Sequence, residues 1–349
     1  MVSPFIVAIW TVALVVTLPE PKHPTWTSIS KIEAHEDLAS SDSLLFAKDM
    51  IKNCQENHDR CKPIAQEDPF MPRRILDLGT FDPSATTLAE TMPVTLVETI
   101  HISPFEPYVT LSHRWGPPGT TITTLSQNIE SHKSQSGIAF EKLSVAFQDT
   151  VYILRRLGIR YLWIDSLCII QHDLEDWREQ SKSMAKIYDR ALFTIAWQCG
   201  HGKSIRNLRI PYQLTDVRSA VPVFARLKTE HLYGERRTKY FPLLSRGWVY
   251  QERLLSRRTL HVTERELMWR CLTRTYDDHS SETIYARWLD GISKGGEGQQ
   301  ERALEENWQK MITEYSDLKL TKQYDRLVAI QGCADQIQRI SGQQYFKGL

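Results

Sequence analysis

The hydrophobic positions between Tyr108 and Trp197 repeat with two different periods, and the two periods alternate along the chain. "YVTLS" and "IRYLWID" are short apolar runs of the kind that form buried strands. Between them, apolar residues from Glu141 to Leu157 recur every three or four positions, which predicts a helix. Gly158 stands where the C-terminal cap of that helix belongs. The pattern therefore predicts a strand, a helix and a second strand.

The same alternation continues after the second strand. Asp176 to Arg190 predicts a helix with acidic residues in its first turn, where the helix dipole favours them. "ALFTIAW" is the next strand, a third helix begins near Arg246, and "TLHVT" with "ELMWRC" supplies two more strands. This order predicts an α/β fold with a mostly parallel central sheet flanked by helices.

Weaker patterns flank this alternating region. Ser41 to Cys54 predicts an additional helix, and "PFMPRRILDLG" and "VTLVET" predict short strands beside Pro and Gly. Residues 198–244 form a long polar insertion before the third helix. The expected organisation is a leader, an α/β domain with an N-terminal extension, and a helical C-terminal segment, at residues 1–40, 41–275 and 276–349.

The N-terminus carries an apolar stretch, "FIVAIWTVALVVTL", from Phe5 to Leu18. Its 14 residues are too few to span a bilayer comfortably. It lacks the basic start and the small-x-small cleavage site of a secretory signal. A buried segment or a poorly ordered leader is the favoured interpretation, with targeting, membrane association or secretion as the alternative.

Composition and charge exclude several classes of partner. The chain has 349 residues, with 43 Lys and Arg against 42 Asp and Glu. We expect no nucleic-acid partner, because neither a net positive charge nor a basic stripe with interleaved aromatics is present. Six cysteines are spread over the whole length, which favours reduced thiols and a cytoplasmic protein.

One group of cysteines is closely spaced, in "CQENHDRC". Cys54, His58 and Cys61 could begin a zinc site if a fourth ligand came from elsewhere. On an amphipathic helix the three side chains share one face, so packing is the favoured interpretation. We therefore expect no metal and no cofactor.

Polar residues follow the predicted strands at three places. They occur in "SHRWG", "DSLCIIQ" and "SRGWVYQER", which begin at Ser112, Asp165 and Ser245. Ligands of open parallel sheets bind beyond the carboxyl ends of the strands. These segments are therefore the candidate functional site.

Three long motifs resemble the fungal heterokaryon incompatibility (HET) domain family. They are "YVTLSHRWG", "LGIRYLWIDSLCIIQHDLEDWREQSKSMAKIYDRALFTIAW" and "SRGWVYQERLLSRRTLHVT", in this order. The resemblance runs from about Ala47 to Thr263 and is strongest from Tyr108 to Trp197. It implies allorecognition and programmed cell death after fusion of genetically unlike hyphae. Such domains also occur in fungal gene clusters, so an accessory role in secondary metabolism is an alternative.

The end of the chain also resembles members of the family. "YDRLVAIQGCADQIQRISGQQYFKGL" is similar to the segment that follows the domain in longer family members. The helical C-terminal segment is therefore expected to be truncated relative to them.

HET domains are in turn similar to Toll/interleukin-1 receptor (TIR) domains, which are flavodoxin-like and some of which cleave NAD. Trp248 to Glu252 resembles the Trp-x-x-x-Glu motif that carries the TIR glutamate. The resemblance implies that NAD is a substrate and that Glu252 is catalytic, because a carboxylate stabilises the positive charge that develops on the ribose. The expected substrate-binding residues are Ser112, His113, Arg114, Trp115, Asp165 and Trp248.

Three alternatives remain at this point. Glu252 could form a structural ion pair with Arg246 or Arg253. Cys168 could be a nucleophile, with His113 or His172 as its base. The domain could also be a non-catalytic interaction module that self-associates or binds an incompatibility partner protein.

Overall fold

The computed structural model describes ten stretches of the chain. They are residues 14–17, 39–62, 69–80, 92–117, 119–207, 213–215, 222–227, 241–264, 267–273 and 297–342.

These stretches contain ten strands. In chain order they are β1 (Leu14–Thr17), β2 (Arg74–Asp77), β3 (Thr95–Glu98), β4 (Tyr108–Ser112), β5 (Tyr161–Ile164), β6 (Phe193–Trp197), β7 (Gln213–Thr215), β8 (Pro222–Leu227), β9 (Arg258–Val262) and β10 (Leu267–Cys271). Seven of them form one sheet, in the order β10-β9-β6-β4-β5-β2-β3.

The centre of this sheet is parallel and its margins are antiparallel. Strands β9, β6, β4 and β5 pair parallel to one another. Strands β2, β3 and β10 pair antiparallel with their neighbours. Only residues 263–266 separate β9 from β10, which is too short for a parallel crossover. The predicted α/β fold with a mostly parallel central sheet is confirmed.

The same stretches contain eight helices. They are α1 (Ser41–Asn57), α2 (Ile129–Lys133), α3 (Val145–Arg156), α4 (Asp165–Cys168), α5 (Leu174–Arg190), α6 (Gly247–Leu255), α7 (Glu297–Ser316) and α8 (Val328–Ser341). Gly158 follows α3 with a φ of 74° and ends the helix as predicted, since glycine adopts this left-handed conformation without strain.

Two helix boundaries differ from the sequence prediction. Helix α3 begins at Val145, after a separate 3-10 turn at Phe140–Lys142, so the predicted helix is shorter. Helix α5 begins earlier, at Leu174, because the Asp173 carboxylate accepts hydrogen bonds from the backbone N–H groups of Glu175 and Asp176.

Part of the apolar N-terminal stretch is a strand. Strand β1 pairs antiparallel with β8, which also pairs with β7, and these three strands form a second sheet. The remainder of Phe5 to Leu18 lies outside the described residues. No helix in the part of the chain that the structure describes is long and apolar enough to cross a membrane.

Strand β4 lies at the point where the chain reverses its direction across the sheet. From β4 the chain passes to β5 on one side and then returns to β6 on the other. In open α/β sheets, ligands bind beyond the carboxyl ends of the strands at such a switch point. A buried ion pair of Arg74 with Asp176 fixes the segment that follows β5, since the same carboxylate accepts the backbone N–H of Ile170 at 2.7 Å.

Candidate functional site

The fold brings the three polar segments to one edge of the sheet. Ser112 is the last residue of β4, and Asp165 directly follows β5, which is parallel to β4. Helix α6 carries Glu252 to the same edge. Its carboxyl lies close enough to Ser112 and Asp165 for both residues to shift its pKa. The predicted convergence at the strand ends is therefore observed.

Glu252 is a buried carboxyl that titrates near neutrality. Its residue is only 6% exposed. Burial raises the pKa of Glu252 to about 7, and the negative charge of Asp165 acts in the same direction. Hydrogen bonds from the Ser112 and Tyr188 hydroxyls and the positive charge of Arg246 lower this pKa without offsetting the burial. A Glu with this pKa exchanges its proton at physiological pH.

His113 is a buried imidazole next to this carboxyl cluster. Its Nδ1 lies 3.7 Å from Oδ1 of Asp165, and its ring packs edge-on against Phe147 at 4.9 Å. Burial lowers the pKa of His113, so the ring is neutral at pH 7. Within the described residues, its Nε2 has no hydrogen-bond partner. One buried polar atom of this imidazole thus remains available.

Asp165 connects this buried cluster to the surface. Its Oδ2 accepts a hydrogen bond from Nε1 of Trp115 at 3.0 Å, and its Oδ1 accepts the backbone N–H of Ser166 at 2.7 Å. Trp115 is 38% exposed and Arg114 is exposed. The loop after β4 therefore presents an indole and a guanidinium to solvent above the buried carboxyl.

Arg246 fixes the start of the helix that carries Glu252. Its guanidinium donates to the backbone carbonyl of His113, which ties α6 to the end of β4. On the other side, the Gly247 N–H donates to the carbonyl of Lys319, and the Lys319 N–H donates to the carbonyl of Ser245, each at 2.8 Å. The C-terminal segment thus clamps the entry of α6.

Trp248 lies outside the cluster, although it is four residues before Glu252. Its Nε1 donates to Oδ2 of Asp325 at 3.2 Å, and its ring packs edge-on against Trp177 at 6.5 Å between ring centroids. The indole therefore joins α6 to α5 and to the C-terminal segment. Its predicted stacking on a substrate ring stays a prediction.

Two members of the cluster were not recognised as site residues from the sequence. Tyr188 lies within the predicted helix from Asp176 to Arg190 and was not singled out, yet its hydroxyl bonds to Glu252. Arg246 was considered only as an ion-pair partner of Glu252. Arg246 precedes Glu252 by six residues in the same motif, and this proximity in sequence could have identified it as a site residue. The contact of Tyr188 with Glu252 depends on tertiary packing and has no such signal in the sequence.

Cys168 does not have the environment of a nucleophile. The thiol is fully buried, and burial raises its pKa to about 12. Its sulfur accepts the backbone N–H of Ile164 at 3.5 Å. His172 is exposed and has a φ of 67°. Cys168 is a packed, protonated thiol, so a Cys-dependent mechanism is not supported.

The cluster has the chemistry of a carboxylate site. A Glu that titrates near pH 7 either transfers protons or, when ionised, stabilises a cation that forms next to it. Ser112 and Tyr188 lie against this carboxyl and orient it. The imidazole of His113 is neutral, so it adds no positive charge to the cluster.

Comparison with known proteins identifies one family that part of the chain matches. The sequence model of the family "Heterokaryon incompatibility protein (HET)" matches residues 108–252, from the first residue of β4 to Glu252 itself. No curated protein and no protein of solved structure shows significant similarity to the chain. Residues 108–252 of this chain therefore match the heterokaryon incompatibility (HET) domain family.

Proposed function

We propose that this protein acts in fungal self/non-self recognition, and that its HET domain causes cell death by hydrolysing NAD to nicotinamide and ADP-ribose. The observation that carries the proposal is the buried Glu252 carboxyl, with its pKa of about 7, at the carboxyl edge of a parallel sheet. The family gives the biological context, and the site supports the chemistry.

The reaction places positive charge where Glu252 can act on it. Cleavage of the bond between the ribose carbon and the nicotinamide nitrogen sends the bonding electrons to the ring, which leaves as a neutral base. The ribose then carries oxocarbenium-like charge until a water molecule adds and releases a proton. A carboxylate beside the ribose stabilises this charge more strongly in the transition state than in the ground state.

The raised pKa of Glu252 is compatible with this role. The nicotinamide ring of NAD is cationic, and a positive charge next to a carboxyl lowers its pKa. Substrate binding would therefore ionise Glu252 at the moment when its negative charge is needed. Ser112 and Tyr188 bond to the carboxyl and would hold its orientation.

The exposed residues above Glu252 provide the expected contacts for the rest of the molecule. Trp115 can stack on a flat ring, since its indole is exposed and its orientation is fixed by Asp165. Arg114 can form charge-assisted hydrogen bonds with phosphate oxygens. In this arrangement the diphosphate lies towards solvent and the glycosidic bond lies towards Glu252.

The test is NAD turnover by the purified full-length protein at high protein concentration. Nicotinamide release is followed by chromatography for the wild type, Glu252→Gln and a matched control, Glu141→Gln, which changes an exposed carboxylate. Circular dichroism confirms that each variant is folded. We expect turnover by the wild type and the control, and a loss of about 100-fold or more in Glu252→Gln. Equal turnover by all three would remove Glu252 from the mechanism.

A second candidate function is a non-catalytic module that oligomerises. Ile100 and Phe105 are 83% and 78% exposed in the segment after β3, and β3 is the outermost strand of the described sheet. Exposed apolar side chains that lie close together in the chain favour association with another protein or a second copy. An inactive wild type that forms defined oligomers by light scattering would favour this function over NAD cleavage.

A further inference from the structure

A second cluster of polar side chains lies at the opposite edge of the sheet from Glu252. Cys271 is the last residue of β10 and pairs with Arg258, the first residue of β9. It therefore lies at the amino ends of the parallel strands, whereas Ser112 and Asp165 follow the carboxyl ends. The cluster also lies outside residues 108–252, so the HET domain does not account for it.

Four potential metal ligands meet there. They are the thiols of Cys54, Cys61 and Cys271 and the imidazole of His58, and all four residues are buried. Their ligand atoms lie within 4.8 Å of one another, and Sγ of Cys271 is 3.4 Å from Nδ1 of His58. No other group of three or more His, Cys, Asp or Glu with this geometry occurs among the described residues.

The end of α1 explains how three ligands from one short segment converge. The sequence predicted that Cys54, His58 and Cys61 share one face of a continuous helix, but α1 ends at Asn57. His58 is extended, and a 3-10 turn follows at Asp59–Cys61, closed by a hydrogen bond from the Cys61 N–H to the His58 carbonyl at 2.9 Å. The chain folds back, and Cys61 faces Cys54 instead of continuing along the helix.

The fourth ligand completes a tetrahedral set. Zinc bonds to thiolate sulfur at about 2.3 Å and to imidazole nitrogen at about 2.0 Å, so neighbouring ligand atoms lie about 3.5 to 3.8 Å apart. The observed separations, from 3.4 Å up to 4.8 Å, fit one ion after a small contraction. Three thiols and one imidazole form the Cys3His set of structural zinc sites.

Arg258 is a second, independent indication of a negatively charged metal centre. Its buried guanidinium donates Nε–H to Sγ of Cys54 at 3.1 Å and a second N–H to the carbonyl of Cys61 at 2.7 Å. Zn²⁺ with three thiolates and a neutral imidazole carries one negative charge. A buried cation that donates to a ligand sulfur balances this charge and orients the ligand. A further N–H of Arg258 donates to the carbonyl of Leu192 at 3.1 Å, so backbone carbonyls satisfy part of the guanidinium and the ligand sulfur of Cys54 accepts Nε–H.

We propose that Cys54, His58, Cys61 and Cys271 bind a structural Zn²⁺ ion that fastens the end of α1 to β10. Four protein ligands leave no open position for substrate, so the ion stabilises the fold and does not take part in catalysis. His58 and Cys271 are 213 positions apart in the chain, so the ion closes a long loop around the HET domain. The proposal is independent of NAD cleavage.

The first experiment measures metal in the full-length wild type, purified without a metal-affinity tag and analysed by plasma mass spectrometry. We expect about one zinc per chain, released in proportion to an added mercurial reagent that titrates thiolates. Replacement by Co²⁺ should give the d–d bands of tetrahedral coordination and a thiolate-to-cobalt charge-transfer band. Wild-type protein without zinc and without this spectrum overturns the proposal, as does a disulfide seen as the loss of two hydrogens by intact mass.

The second experiment compares Cys271→Ser with Cys199→Ser, in which a half-buried thiol outside the cluster is changed. We expect the bound zinc to fall at least about fivefold in Cys271→Ser and to stay at the wild-type level in Cys199→Ser. If Cys271→Ser kept all of its zinc, Cys271 would not be a ligand and the proposed four-ligand site would be wrong. If Cys271→Ser does not fold, the stoichiometry and cobalt spectrum of the wild type decide the question.

Discussion

The burial of Glu252 predicts an unusual dependence of stability on pH. Its pKa is 4.5 in an unfolded chain and about 7 in the folded protein. Below pH 4.5 the carboxyl is protonated in both states and contributes nothing. Between the two values the unfolded chain releases the proton and the folded protein keeps it, so the free energy of unfolding falls as the pH rises. Above about pH 7 the loss is complete.

The size of this loss follows from the two pKa values. One pKa unit corresponds to about 1.36 kcal/mol, so raising the pKa of Glu252 from 4.5 to about 7 corresponds to about 3 kcal/mol. Gln has the shape of Glu and no charge to bury. The stability of Glu252→Gln relative to the wild type should therefore increase by about 3 kcal/mol between pH 4.5 and about pH 8.

Urea unfolding followed by Trp fluorescence measures this difference at several pH values. Titrating groups that do not interact with Glu252 are shared by the two proteins and cancel in the difference, and Glu141→Gln serves as the exposed control. A difference between Glu252→Gln and the wild type that is constant over this pH range would refute the buried, raised-pKa carboxyl. If the wild type instead became more stable than Glu252→Gln as the pH rises, Glu252 would be ionised and held by Arg246 as an ion pair.

Two further predictions concern the packing that positions the site. Asp176→Ala leaves the guanidinium of Arg74 buried without its partner and should lower the free energy of unfolding by about 3 to 5 kcal/mol. Glu179→Ala removes an exposed partner of Arg73 and should cost less than about 1 kcal/mol in the same urea titration. Gly332→Val should lower the melting temperature, since a Cβ there would lie 2.5 Å from Cβ of Ala185, and overpacking costs about 1 to 3 kcal/mol. An unchanged melting temperature would show that α8 does not pack this closely on α5.

The central strands were predictable because burial on both faces leaves a local signature. "YLWI" is apolar throughout, "YVTLS" is apolar except at Thr110 and Ser112, and every residue of both strands is buried. The antiparallel margins were not predicted, because strand direction depends on the path of the chain and not on the composition of the strand. The shortness of the link between β9 and β10 was the one local signal for a hairpin.

The candidate site was predictable only as far as the strand ends define it. Ser112 and Asp165 meet because parallel strands end at the same edge. The Trp-x-x-x-Glu resemblance placed Trp248 in the site with Glu252, but its indole donates a hydrogen bond to Asp325, which lies in a distant segment of the chain. The fourth ligand of the zinc cluster was unpredictable for the same reason, since Cys271 reaches His58 only through the pairing of β10 with β9.

The helix that carries Glu252 depends on residues beyond the family match, which ends at Glu252. Gln251 accepts the backbone N–H of Gly332 at 2.8 Å, and the Tyr250 hydroxyl donates to Glu314 at 3.3 Å. Together with the contacts of Trp248 and of the α6 entry, these bonds attach successive residues of α6 to the C-terminal segment. A carboxyl keeps a raised pKa only while its surroundings exclude water. The C-terminal helices therefore help to keep Glu252 buried, because they hold α6 in place.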